Sequence, residues 1–149
     1  MGYQIIVKEI PEMEVVSVRY KGKYQDIGKY FGQLFKVAKG RGSGIPFALY
    51  YDESYCDEAD IEVCLPVKGK VETSAGVDCK ILAGGKFLST THQGSYDTLH
   101  QGYEELAKYM EANGLKGHVP SREIYLKGPG MIFKGNPKGY ITEIVIPVE

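Results

Sequence analysis

The chain has 149 residues, 43% of them hydrophobic and 25% charged, the size and mixture of one domain able to bury a core, with little room for a second module. Eighteen Lys and Arg against nineteen Asp and Glu leave a formal charge of -1, which excludes the sequence-wide basic field that a nucleic-acid binder uses to collect a polyanion. Three cysteines, Cys56, Cys64 and Cys79, have no C-x-x-C spacing, which fits reduced thiols in a cytoplasm and implies no metal.

In chain order, Met1 to Ile6 lacks a charged n-region with an apolar core, and no run reaches the roughly eighteen apolar residues of a membrane span. A soluble, cytoplasmic protein is expected. Val15 to Tyr20 is rich in β-branched residues and reads as a strand. Lys21, Lys23, Lys29, Lys36, Lys39 and Arg41 make one local basic stretch, interrupted by Asp26, of the kind a solvated helix face carries. Within it Ile27, Tyr30, Phe31, Leu34, Phe35 and Ala38 recur at the spacing of an amphipathic helix, and Gly40 supplies a stop. Pro46 then opens an extended segment, Phe47 to Tyr51, and Ile61 to Leu65 follows as another. The polar stretch Lys68 to Ser74 carries the crossing to a second half.

That half repeats the order. Phe87 to His92 reads as a strand; Leu99, Tyr103, Leu106, Ala107 and Met110 as a helix stripe ended by Asn113-Gly114; Arg122 to Lys127, after Pro120, and Ile141 to Ile146 as strands. The segment KEIPEMEVVSVRYKGKY, Lys8 to Tyr24, lies on KILAGGKFLSTTHQGSY, Lys80 to Tyr96, without a gap. Lys8 falls on Lys80, Ser17 on Ser89 and Tyr24 on Tyr96; after small gaps Tyr51 meets Tyr125, and DIEVCLPV meets ITEIVIPV. The expected fold is α+β: a tandem β-α-β-β repeat with pseudo-twofold symmetry, forming one antiparallel sheet with two main helices on one face. It is one domain over residues 1–149, with repeat one at about 3–67, a linker at 68–74 and repeat two at about 75–148.

Most enzyme signatures are missing: there is no phosphate loop, no G-x-S-x-G elbow and no H-E-x-x-H helix, and Gly40 to Gly44 lacks the spacing of a dinucleotide fingerprint. No cofactor is expected. Ser95, Asp97 and His100 are close in sequence, but Ser95 and Asp97 suit a helix N-terminus. Glu62 and Glu143 are equivalent in the repeat and sit in apolar strands. A carboxylate turned inward there would need compensation, which makes it a candidate site; the alternative is an outward carboxylate or one paired with a lysine. Twelve tyrosines without a tryptophan add π faces and hydroxyls, with Phe47, Tyr50, Tyr51, Tyr103 and Tyr125 in elements near the two glutamates.

The run LAGGKFLSTTHQGSYDTLHQGYEELAKY, with Pro120, Glu123-Ile124-Tyr125-Leu126 and the closing T-E-I-V-I-P, resembles the GyrI-like effector-binding domain, found in gyrase inhibitors and in AraC-type and MerR-type multidrug regulators. The resemblance covers nearly the whole chain. It implies a groove between the helices in which a strand glutamate among aromatic rings binds amphipathic or cationic aromatic compounds. Glu143 matches that glutamate and Tyr125 its aromatic neighbour, while Tyr109 stands where many relatives carry Trp. The expectation is a stand-alone small-molecule sensor or sequestering domain without its own DNA-binding segment, handing its signal to a separate regulator. Two alternatives stay open. One is a hydrolase of cyclopropane-containing genotoxic compounds, with Glu143 activating water and Tyr125 polarising the substrate. The other is a surface that acts on gyrase.

Overall fold

Each repeat begins with a short strand that the periodicity does not mark. In the structure, a computed structural model that describes residues 2–53, 56–73, 76–128 and 135–149, β1 (Ile6–Ile10) precedes β2 (Met13–Gly22), and β5 (Asp78–Leu82) precedes β6 (Gly85–Gln93). The repeating unit is therefore β-β-α-β-β. The lead strands are short and largely exposed, so neither shows the alternation that reveals a half-buried strand. The remaining elements fall where expected: α1 (Ile27–Ala38), β3 (Phe47–Tyr50), β4 (Ala59–Pro66), α2 (His100–Asn113), β7 (Ser121–Lys127) and β8 (Ile141–Pro147). Ser74, the last residue of the predicted linker, and Ala75, where the second repeat is expected to begin, lie outside the described residues.

The chain is α+β, and it divides into two compact units, Ile10–Gly85 and the residues up to Glu9 with Lys86–Glu149. The first has the strand order β3-β4-β2-β5 and the second β1-β6-β8-β7. The β2–β4, β2–β5, β3–β4, β6–β8 and β7–β8 ladders are all antiparallel. The two repeats have exchanged their lead strands: β5 of the second repeat lies beside β2, and β1 of the first lies beside β6. The chain passes from one unit to the other near Ile10 and Gly85. At Gly84 a Cβ would lie 2.2 Å from the carbonyl oxygen of Ile10 and 2.7 Å from the nitrogen of Glu12, so backbone meets backbone where only glycine fits.

Alternation fixes which side chains share a face. In the first unit Tyr20 stacks on Tyr30 of α1 at 4.1 Å, so Val16, Val18 and Tyr20, with their cross-strand partners Leu65, Val63 and Ile61, face the helix. Leu34 and Ala38 supply the buried centre of α1. Phe35 stays 50% exposed, because the apolar stripe is wider than the contact. In the second unit Leu88, Leu99, Leu106, Ile144, Ile146 and Val148 form the core under α2, with Tyr103, Tyr109 and Met110 packed against it. Both helices stop on left-handed residues, Lys39 (φ 49) before Gly40 in α1 and Gly114 (φ 64) in α2. The predicted capping by Ser95 and Asp97 is not made: the turn Tyr96–Thr98 before α2 has no side-chain cap, and the Ser95 carbonyl instead accepts from the backbone N–H and the hydroxyl of Thr98.

Candidate functional site

The two repeat-equivalent glutamates lie on the sheet faces turned away from the helices. Glu62 pairs across the ladder with Arg19, and Glu143 neighbours Ile144 of the core under α2, so both project to the other side. Each is held by the same pair of residues at matching repeat positions. Glu62, 1% exposed, accepts from Ser17 Oγ at 2.7 Å, from the Tyr51 hydroxyl at 2.6 Å and from Lys80 Nζ at 2.6 Å. Glu143 accepts from Ser89 Oγ at 2.6 Å and from Lys8 Nζ. Burial pushes the Glu62 carboxyl up, but the hydrogen bonds from Lys80, Tyr51 and Ser17 and the Lys80 charge outweigh it and hold the group below its ordinary range.

Each lysine comes from an exchanged lead strand, each serine from the strand beside it and each glutamate from the next one in. Glu62 and Glu143 thus tie each edge strand to its unit, each paired with a lysine. Tyr51 belongs to this network. Arg19 lies 3.7 Å over its ring and makes two hydrogen bonds with Asp60 at 2.9 and 2.8 Å. Burial, together with the bond to Glu62, raises the Tyr51 phenol well above its usual range. Phe47, 3% exposed, pairs with Cys64 on the same helix-free face.

A different carboxylate gathers the tyrosines. On β7, Glu123 pairs with Ile144 and Tyr125 with Thr142, which turns both towards α2. The hydroxyls of Tyr103, on α2, and of Tyr125 (3.0 Å) both donate to the Glu123 carboxylate, and Glu123 is 8% exposed. Tyr96 meets the Tyr125 ring edge-on at 6.1 Å and the Tyr140 ring at 5.2 Å. Burial first, then Tyr140 and the charge of Glu123, push the Tyr96 phenol up to about 12. Thr142, fully buried beside Tyr125, has a hydroxyl without a hydrogen-bond partner among the described residues. On its other side stands His92. The Ser95 carbonyl, 3.2 Å from Nε2, can only accept, so Nε2 carries the proton and Nδ1 accepts from Tyr3 at 2.8 Å.

The structure therefore brings Tyr103 and Tyr125 together and separates both from Glu143. Neighbouring strand positions alternate faces, so Tyr125, opposite Thr142, cannot share a face with Glu143. The repeat register also shifts by one: the position matching Tyr125 is Tyr50, opposite Ile61, and not Tyr51. The ring pairs agree, Tyr24 with Tyr50 at 6.0 Å and Tyr96 with Tyr125 at 6.1 Å. In this register the counterpart of Glu123 is Ala48. Sequence reasoning passed over Glu123, although it stands two residues before Tyr125, the spacing that puts both on one face of a strand.

Among the described residues no group of three or more His, Cys, Asp or Glu is arranged to hold a metal ion, and no helix is long and apolar enough to cross a membrane. The model of the GyrI-like small molecule binding domain matches residues 3–149. The chain belongs to the GyrI-like family.

Several solved structures share its fold. The C-terminal domain of EcmrR is 29% identical with a TM-score of 0.85, over 100% of this chain and 99% of that one. A hydrolase from Listeria innocua, 18% identical with a TM-score of 0.77, shares the fold over 98% of this chain and 92% of its own. SAV2435 bound to tetraphenylphosphonium, 20% identical with a TM-score of 0.60, shares it over 100% and 94%. No curated protein sequence matches the chain.

Proposed function

We propose that this GyrI-like domain binds lipophilic aromatic cations, with Glu123 as the carboxylate that receives the positive charge. The observation that carries the reading is the cluster itself: a carboxylate 8% exposed, oriented by the hydroxyls of Tyr103 and Tyr125, with the Tyr96 ring set against those of Tyr125 and Tyr140. A charge in such a place is costly, and a ligand cation that meets it recovers Coulomb energy in a low-dielectric setting while the rings replace water around its apolar body. The hydroxyl of Thr142 adds a polar position beside Tyr125. That a protein of the same fold is bound to tetraphenylphosphonium, a lipophilic cation, supports this ligand class. Glu62 and Glu143 stay outside this role because each is engaged by a lysine and a serine.

The test is thermal unfolding and calorimetric titration of wild type, Glu123→Gln and Glu143→Gln with ethidium, tetraphenylphosphonium and a neutral aromatic of similar size. Ligand at a hundred times Kd stabilises by about 2.7 kcal/mol, a melting shift of about 5 to 10 °C at this size. Binding in wild type and Glu143→Gln, with affinity reduced at least about tenfold in Glu123→Gln, is expected. Equal binding by wild type and Glu123→Gln refutes the assignment. Chromatography of the same mixtures decides the catalytic alternative, since ligand consumption marks turnover.

A further inference from the structure

The outermost ring of the Glu123 cluster is Tyr96. It is 40% exposed, whereas Tyr140 beside it is 3% and Glu123 8% exposed. From the turn that leads into α2 its hydroxyl reaches the end of β7, where the chain passes at Gly128. A Cβ at position 128 would lie 2.9 Å from the Tyr96 hydroxyl oxygen and, among the described residues outside its chain neighbours, within 4 Å of nothing else, while ordinary contacts begin near 3.4 Å. Gly128 is not among the residues with positive φ, so its backbone does not require glycine. What the missing side chain leaves room for is the Tyr96 hydroxyl.

We infer that Gly128 sets the resting position of Tyr96 across the cluster and thereby biases the site towards planar over tetrahedral aromatic cations. This rests on the ligand reading above. With no side chain at 128, the phenol lies against Tyr125 and Tyr140 and keeps the approach to the carboxylate narrow. A flat ring system enters beside Tyr96 after a small rotation of the phenol, because stacked and offset aromatic contacts need only one ring thickness. A tetrahedral cation needs the phenol swung out. A methyl group at 128 displaces the hydroxyl by about half an ångström, the difference between 2.9 and 3.4 Å. The ring yields rather than the backbone, because the hydroxyl is the far end of a partly exposed side chain that can rotate.

The experiment uses the full chain as wild type, Gly128→Ala, Tyr96→Phe and the double variant, titrated with ethidium as the planar probe and tetraphenylphosphonium as the tetrahedral one. Wild type is expected to prefer ethidium. Gly128→Ala shifts the ratio of the two Kd values towards tetraphenylphosphonium by about fivefold or more, and in the Tyr96→Phe background, where the hydroxyl is gone, the same substitution shifts nothing further. An unchanged ratio in Gly128→Ala, or an equal shift with and without the hydroxyl, overturns the inference. If wild type binds through Glu123 and Gly128→Ala is silent, the inference alone falls. If wild type binds neither probe, the proposed function falls with it.

Discussion

Lys80→Met removes the cation from Glu62 and keeps a side chain of similar length. Glu62 is 1% exposed and holds three donors. Breaking a buried ion pair by deleting one partner costs about 3 to 5 kcal/mol. Two features reduce that figure here: Lys80 is 40% exposed, and Ser17 and Tyr51 still donate to the carboxylate. The expected loss is about 2 kcal/mol, or roughly 4 to 8 °C in Tm. The pH dependence gives the sharper check. In wild type the Glu62 carboxyl is held below its ordinary 4.5, so its contribution is full above that value and lost as pH falls through the lower, folded-state value. Without Lys80 burial dominates, the folded-state value rises above the unfolded one, and the carboxyl favours the folded state in its protonated form. The variant should therefore lose least at acidic pH and most at neutral pH. Urea unfolding of both proteins at pH 7.5 and pH 5.0 reads this directly. A variant as stable as wild type at pH 7.5, or a stability gap of the same size at both pH values, would refute the reasoning.

Gly84→Ala forces a carbon to within 2.2 Å of the Ile10 carbonyl oxygen and should cost about 3 kcal/mol or more by urea unfolding, at or beyond the upper end of overpacking penalties. Gly32→Ala, within α1 and with nothing within 4 Å of the new Cβ, should stabilise by about 0.5 to 1 kcal/mol in the same assay. Tyr96, labelled at Cζ and titrated by NMR, should ionise at about 12 in wild type and at a lower pH in Glu123→Gln, because the carboxylate charge is one of the causes of the rise; an unchanged value would place Glu123 too far away to act on it.

Much of the fold was legible because two copies of one plan constrain each other. The helix stripe from Ile27 to Ala38, the Gly-ended helices and the apolar strands at 61–65 and 141–146 each found a partner in the other half, and all correspond to elements. The exchange of lead strands was not legible. Lys8 to Ile10 and Lys80 to Leu82 match in sequence, and that match holds equally well whether each strand stays with its own repeat or crosses to the other. Only the non-local pairing of β1 with β6 and of β5 with β2 decides it. The register slip at Tyr50 has a similar origin: aligning Pro46 with Pro120 cannot show that Ser121 adds one residue before the ladder begins.

The site hides behind the same symmetry. Glu62 and Glu143 attracted notice because both repeats keep them, yet what both repeats keep is what each unit needs to hold its edge strand: lysine, serine and glutamate recur at matching positions and bind one another in both. Recognition of an asymmetric ligand needs a feature that the copies do not share. Glu123 is such a feature, since its counterpart on β3 is Ala48, a small and fully buried apolar residue. In a duplicated domain the identical polar residues therefore mark the scaffold, and a charge that appears in one copy at a position the other fills with a small apolar residue marks the place to look for binding. By that criterion Glu123→Gln should change affinity with little effect on Tm, whereas Glu62→Gln should change Tm with little effect on affinity, and a reversal of that pattern would return the site to the helix-free face.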